Sequence, residues 1–487
     1  MFRVPIGDSG RRRLAARKAV LRLAAGLGLA SALHGAAFAQ DEPRLPVLPL
    51  PSGDPLRIDL TSDPILRLSE SAISVEDFRQ IVADAVARHP ARLEAIAGGE
   101  EAEAALAEAR EGLFPSGDLT VDSYQSIARE FSNDPDNIIE RSRPEKRTDA
   151  LLNIRQTVLD FGATSKRIRA ASARLRGATA QIESVADQVA LNTIANWYDV
   201  VAYQSLVAVS EEFAAAQDSF RDAINERIRQ GASAEGDLAQ IESYIARANT
   251  RLAQFRRSEA QAEARFTEFT GTPPFAAQPR APRLGVEPIN RDVAVLDARA
   301  SPDVRAAEAG AEAARQDYRA AQSELLPIVT AGVDGGSYGV LEGEPDYDIR
   351  ARLTLRYRFF GGVEQRVWQV AAAARAADAR AQRVREEAER NASIAWSDVQ
   401  ALEEQVAALR ENYVASRRTR DVQVERFRVA RGTINDVLEA NESYFETAVA
   451  YVLAISELDA ARYVLLSRTG KLLDTLAIEP TTGEEMQ

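Results

Sequence analysis

The side chains able to do chemistry in this chain are carboxylates and arginines. Cysteine is absent and only His34 and His89 supply imidazole. Thiolate zinc sites, thiol nucleophiles, disulfides and multi-histidine active sites are therefore excluded. No nucleophile, metal or phosphate-loop spacing stands out, which argues against an enzyme and against a bound cofactor. Asp436 and Glu439 do stand out, because a spacing of three puts both carboxylates on one face of a helix. The same stretch, Thr433-Ile434-Asn435-Asp436, also reads as a helix N-cap with an acid three residues on. A second cluster is Arg350, Arg352, Arg356 and Arg358, alternating with Ile349, Ala351, Leu353, Leu355, Tyr357 and Phe359. That alternation predicts a strand with one apolar face and one arginine-rich face.

Long helices must position these groups. An internal proline costs a helix about 3 kcal/mol, and residues 145–272 and 346–479 contain none. Within the second tract, residues 363–431 lack glycine as well and are rich in Ala, Arg, Glu and Val. As one helix they would be about 100 Å long, too long for a compact globular domain. Prolines gather instead at Pro43 to Pro64 and at Pro273 to Pro288, which read as tails or connectors.

The two tracts match each other at a constant offset. Phe161-Gly162 pairs with Phe360-Gly361, Asn192 with Asn391, Trp197 with Trp396, Asp237 with Asp436 and Thr270-Gly271 with Thr469-Gly470. Upstream, at a larger offset, Pro90 pairs with Pro302, Gly98 with Gly310 and Pro115 with Pro327. The chain is a tandem duplication with one length change, located between Pro115 and Phe161 or between Pro327 and Phe360. The equivalent placement of Trp197 and Trp396 predicts helix packing, and the acidic run Glu100 to Glu111 predicts a solvated helix face.

The first 39 residues carry Arg11, Arg12, Arg13, Arg17 and Lys18, an apolar run Leu23 to Leu33, and Ala37-Phe38-Ala39. This is the order of a secretory signal cleaved after Ala39, on a plain secretory or a twin-arginine route. The rest of the chain has no apolar stretch of membrane-helix length, so any membrane contact must be made by strands. A net charge of −13 argues against a nucleic-acid partner. The strand at Ile349 to Phe359 has the length of a tilted membrane strand. A partner starts at Ile328, and the first copy offers Leu119 to Ile127 and Leu152 to Phe161. Four strands per chain are too few, since a closed membrane barrel needs at least about eight. The barrel must be shared, and three subunits would supply twelve strands.

Helix, strand pair and helical hairpin, twice over behind a signal sequence, resembles the TolC-like outer membrane efflux proteins from about Ile73 to Leu476. Gln156-Thr157-Val158-Leu159-Asp160-Phe161-Gly162 looks like that family's strand-to-helix junction, and Phe359-Phe360-Gly361-Gly362 is its repeat. The hairpin-turn signature fits Ile228, Gly231 and Asp237 in the first copy. In the second copy Phe427 and Asp436 fit, but the glycine column holds Ala430 and Gly432 lies two residues on.

The resemblance implies a mainly α fold with a small β part. Duplicated long hairpins would form a trimeric α-barrel, and four strands per chain would join a shared twelve-stranded transmembrane β-barrel. Segments would run as signal 1–39, Pro-rich extension 40–70, repeats 71–272 and 291–476 around a linker 273–290, and tail 477–487. Function would be that of an outer membrane exit duct reaching into the periplasm, for efflux or type I secretion. Its partners would be two further copies, a periplasmic adaptor, an inner-membrane transporter and outer membrane lipid. Asp436 and Glu439 match the acids that ring the periplasmic entrance, while Arg350, Arg352, Arg356 and Arg358 would face the barrel lumen. The family's closing tyrosine and arginine fall on Phe427 and Gly432, leaving Arg428 or Arg431 as substitutes. The rival reading is a periplasmic coiled-coil adaptor, which would lack the duplicated strands.

Overall fold

The computed structural model describes residues 45–479 except 56, 69–72, 132–137, 139–141, 232, 286–289, 344–345 and 359. The expected signal 1–39, Phe359 and residues 480–487 of the tail lie outside the described residues. Helices α1 (Pro64–Arg67), α2 (Val75–Arg88) and α3 (Pro90–Glu111) lead into strands β1 (Ser116–Gln125) and β2 (Lys146–Leu159). Then come α4 (Ala163–Arg229) and α5 (Glu235–Thr270). The second half repeats this order with α6 (Arg291–Ala298), α7 (Pro302–Ser323), β3 (Ile328–Tyr338), β4 (Asp346–Arg356), α8 (Val363–Arg428) and α9 (Ile434–Arg468), and a short α10 (Leu472–Leu476) follows.

The paired prolines mark the same break in each half. Proline sits at the first turn of α3 and α7, where its missing N–H is harmless, and forces the preceding residue into an extended conformation. His89 is that residue in the first half, and its Nδ1 accepts the Ala91 N–H at 3.2 Å. With no internal proline, α4 runs for 67 residues, through Gly177, and α8 for 66, each about 100 Å at 1.5 Å per residue. Among the described residues no helix is long and apolar enough to cross a membrane.

The duplication is legible in the elements, with one slip. Left-handed Phe161 and Gly162 precede α4, whereas left-handed Gly361 and Gly362 precede α8. The structural equivalent of Phe161 is therefore Gly361, one residue beyond the sequence match to Phe360, and α8 is one residue shorter to compensate. The length change falls in the β1–β2 connection, 126–145, which is longer than the β3–β4 connection, 339–345.

Neighbours change along the long helices, so their buried residues do not keep to one face. α4 packs on α3 and α7, on α2, α9 and α10, and on α5. Around Trp197, a core joins Phe78, Phe266, Tyr463 and Leu472. Trp197 is fully buried and donates to the Pro279 carbonyl at 2.7 Å; Trp396 is half-buried beside a separate apolar cluster. A second core centres on Phe213, Tyr413, Tyr444 and Phe445, and a third, of Ile224, Ile241, Ile434, Val437 and Leu438, lies toward the hairpin turns. Glu100, Glu101, Glu103, Glu108 and Glu111 are all exposed.

Candidate entrance and channel lining

The strands form one antiparallel sheet in the order β1-β2-β3-β4. Register places Leu119, Val121, Leu152, Ile154, Val333, Ile349, Leu353 and Leu355 on one face. That face is uncovered: Leu119, Ile349 and Leu353 are each more than 70% exposed, at 72%, 72% and 74%. A contiguous apolar patch on this scale marks a membrane or protein contact. β1 and β4 are paired on one side only, leaving two open edges in each chain.

The opposite face is polar and charge-balanced. Arg350, Arg352 and Arg356 stand on this face, and β3 and β4 also bring acids to it. Arg352 pairs with Asp334 at 2.7 Å, and Arg350 pairs with Asp348. Asp334 also accepts from Asn153 at 2.7 Å, and Arg147 pairs with Asp149 at 2.7 Å. Arg356 ends β4 on this face, opposite Ile328. Arg358 lies beyond β4, at the junction leading to α8, so it is not a strand residue. These acids sit on other strands or outside the alternating run, which is why the run alone suggested excess positive charge.

At the far end of the long helices, the two hairpin turns differ. α4 ends at Arg229, and Gly231 takes φ +71°. Asp237 accepts the Ala234 N–H at 3.3 Å; Ala234 has no side-chain oxygen to return the bond, so only half of a capping box exists. In the second turn the left-handed residue is Ala430, at φ +59°. The Ala430 N–H reaches Phe427 O at 3.1 Å and the Arg431 N–H reaches Arg426 O at 2.8 Å, the two bonds of a Schellman motif. Gly432, a turn candidate from the sequence, does not take the left-handed position. It is small for another reason: a Cβ there would lie 3.2 Å from the Phe427 backbone nitrogen.

Thr433 and Asp436 form a complete capping box, with Thr433 N–H to Asp436 at 3.1 Å and Asp436 N–H to Thr433 Oγ1 at 3.2 Å. The donation from the Thr433 N–H holds the Asp436 carboxyl below the usual carboxylate range. Asp436 and Glu439 are both exposed, on the side of α9 away from buried Val437, Leu438 and Ala440. Capping uses one edge of the Asp436 carboxylate and leaves the pair available to an axis or a partner.

Phe427 packs among the apolar residues near the turns, and the Arg227 guanidinium lies 4.4 Å over its ring. This cation–π contact joins the two hairpins. Arg428 instead pairs with Glu425 of its own helix at 2.6 Å. Arg227 is a bridge that residue type alone does not reveal, although the repeat of Glu226-Arg227 in Glu425-Arg426 marks its position. Among the described residues no group of three or more His, Asp or Glu is placed to hold a metal.

A family model described as outer membrane efflux protein matches residues 81–272 and 297–471. The outer membrane efflux protein BepC of Brucella suis is 23% identical over 327 residues, 66% of this chain and 72% of BepC. Among solved structures, the CmeC outer membrane channel of Campylobacter jejuni superposes with a TM-score of 0.72 at 16% identity, over 83% of this chain and 87% of CmeC. The outer membrane protein VceC of Vibrio cholerae gives 0.69 at 18% identity, over 83% of this chain and 97% of VceC.

Proposed function

Because the chain belongs to the outer membrane efflux protein family, and so is an outer membrane exit duct for efflux that extends into the periplasm, we propose that three copies make one tunnel. An inner-membrane transporter would feed it through a periplasmic adaptor, with residues 71–272 and 291–476 as the repeats of each copy. The observation that carries this reading is the four-stranded sheet with two open edges, one apolar exposed face and one charge-balanced polar face. In lipid an unpaired edge is costly, so β4 of one chain pairs with β1 of the next until the sheet closes. The apolar face then meets lipid and the paired charges line water. A coiled-coil adaptor has no use for such a sheet.

The proposal extends to the entrance. Asp436 and Glu439 from three chains would bring six carboxylates to the threefold axis, a negative field that favours cations. Replacing them together, Asp436→Asn with Glu439→Gln, removes the charge while asparagine keeps the cap. The purified variant is expected to run as a heat-resistant trimer, with lower cation selectivity and weaker block by multivalent cations in planar bilayers. An intact trimer with unchanged selectivity and block would reduce Asp436 to its capping role. A stable folded monomer would refute the shared barrel.

A further inference from the structure

The Pro-rich extension is bound to the second hairpin. Leu48, Ile65 and Leu66 are buried in the same core as Tyr413, Tyr444 and Phe445. The Pro49 carbonyl accepts Arg420 Nη1 at 2.8 Å, and a Cβ at Gly53 would lie 4.0 Å from the Arg428 guanidinium, in the last turn of α8. The chain then returns along the hairpin. At Asp63, 1% exposed, one carboxylate does three jobs. It caps α1 through the Ile65 and Leu66 N–H groups at 2.9 and 3.2 Å, accepts the Tyr413 hydroxyl at 2.9 Å, and pairs with Arg417. Tyr413 in turn lies 3.0 Å from the Tyr444 hydroxyl, which ties α8 to α9. Further along, the Leu68 carbonyl accepts Arg280 Nη1 at 2.8 Å, and Arg280 is held by Asp459 of α9.

We propose that the stretch through Leu48, Pro49, Asp63 and Leu68 is an intramolecular strap that holds α8 and α9 in their present arrangement, with the Asp63 carboxylate as its pin. It rests on the reading of this hairpin as the channel entrance, and it adds the element that restrains it. Prolines suit a strap, since a fixed φ leaves less freedom to lose on docking. Burial, with Tyr444 and Asp63 close by, raises the Tyr413 hydroxyl above its ordinary value and keeps it a donor. Releasing Asp63 strands the Arg417 charge in a buried site and leaves the Tyr413 hydroxyl with Tyr444 alone, so α8 would shift until Arg417 finds water.

The test is hydrogen–deuterium exchange on the purified full-length trimer, with planar-bilayer conductance as a second reading. Asparagine caps a helix as well as aspartate, so Asp63→Asn keeps α1 and removes the charge held against Arg417. Tyr413→Phe keeps the ring and removes one donor, and serves if the first variant assembles poorly. Exchange should rise about ten-fold in 45–68, 409–428 and 434–449, the factor set by one charge-assisted buried bond, while α5 stays unchanged. Open-channel events should become more frequent. Unchanged exchange, or a uniform rise that includes α5, overturns the strap. Faster exchange in 45–68, 409–428 and 434–449 with α5 unchanged and conductance unaltered upholds the strap and refutes this hairpin as the entrance.

Discussion

Ala430 offers a test of how stiff the second hairpin turn is. It occupies the left-handed position of a Schellman motif at φ +59°, where the first hairpin has Gly231 at φ +71°. A Cβ in that conformation costs about 1–2 kcal/mol. Ala430→Gly relieves this, and glycine's extra freedom in the open turn returns about 0.4–1 kcal/mol. The net gain is about 0.5–1 kcal/mol, which corresponds to local opening about two- to five-fold rarer. Exchange of amides in peptides spanning 425–440 should slow by that factor, with peptides spanning 226–240 as the internal reference. Gly231→Ala should do the reverse in the first hairpin. Gly432→Ala should speed exchange too, but through crowding of the Phe427 backbone rather than through φ. Unchanged or faster exchange in Ala430→Gly would mean that the turn is not strained by its Cβ, and would refute the reasoning.

Two further outcomes concern charge. Asp187 of α4 faces Asp303 of α7, Glu387 of α8, and Ser467 and Arg468 of α9 across one cleft, and burial pushes its carboxyl up to about 6. A pKa raised above the unfolded value means the charged form is disfavoured in the fold, so this group's cost appears as pH rises from about 4 through 6. Asp187→Asn should therefore stabilise the helical part by about 2 kcal/mol at pH 8 and by little at pH 4, read from denaturant unfolding; a pH-independent difference would contradict this. In the sheet, Asp334→Asn removes the partner of Arg352 and should shift the bilayer reversal potential toward anions. No shift would place the selectivity of the barrel elsewhere.

Much of this architecture is local information. The long helices follow from where prolines are absent, the strand faces from a period of two, and the duplication from matched residues at fixed offsets. The first two depend on neighbours within a few residues and the third on residue identity alone, and each survives folding with small slips such as Gly361 standing where Phe360 was matched. The placement of Asp436 and Glu439 on one exposed face of α9 was legible for the same reason.

Tertiary structure decided what depends on distant partners. Arg352 reads as free positive charge until the β3–β4 register sets Asp334 beside it. Asp63 reads as part of a connector until folding brings it to Tyr413, 350 residues away. Ala430 rather than Gly432 takes the left-handed turn because the closing bonds to Arg426 and Phe427 fix which residue follows the helix, and residue type alone pointed to the glycine. Register and buried charge pairing are set by atoms far apart in the chain, and turn closure by the backbone path at the helix end, and no periodicity of residue types carries that information.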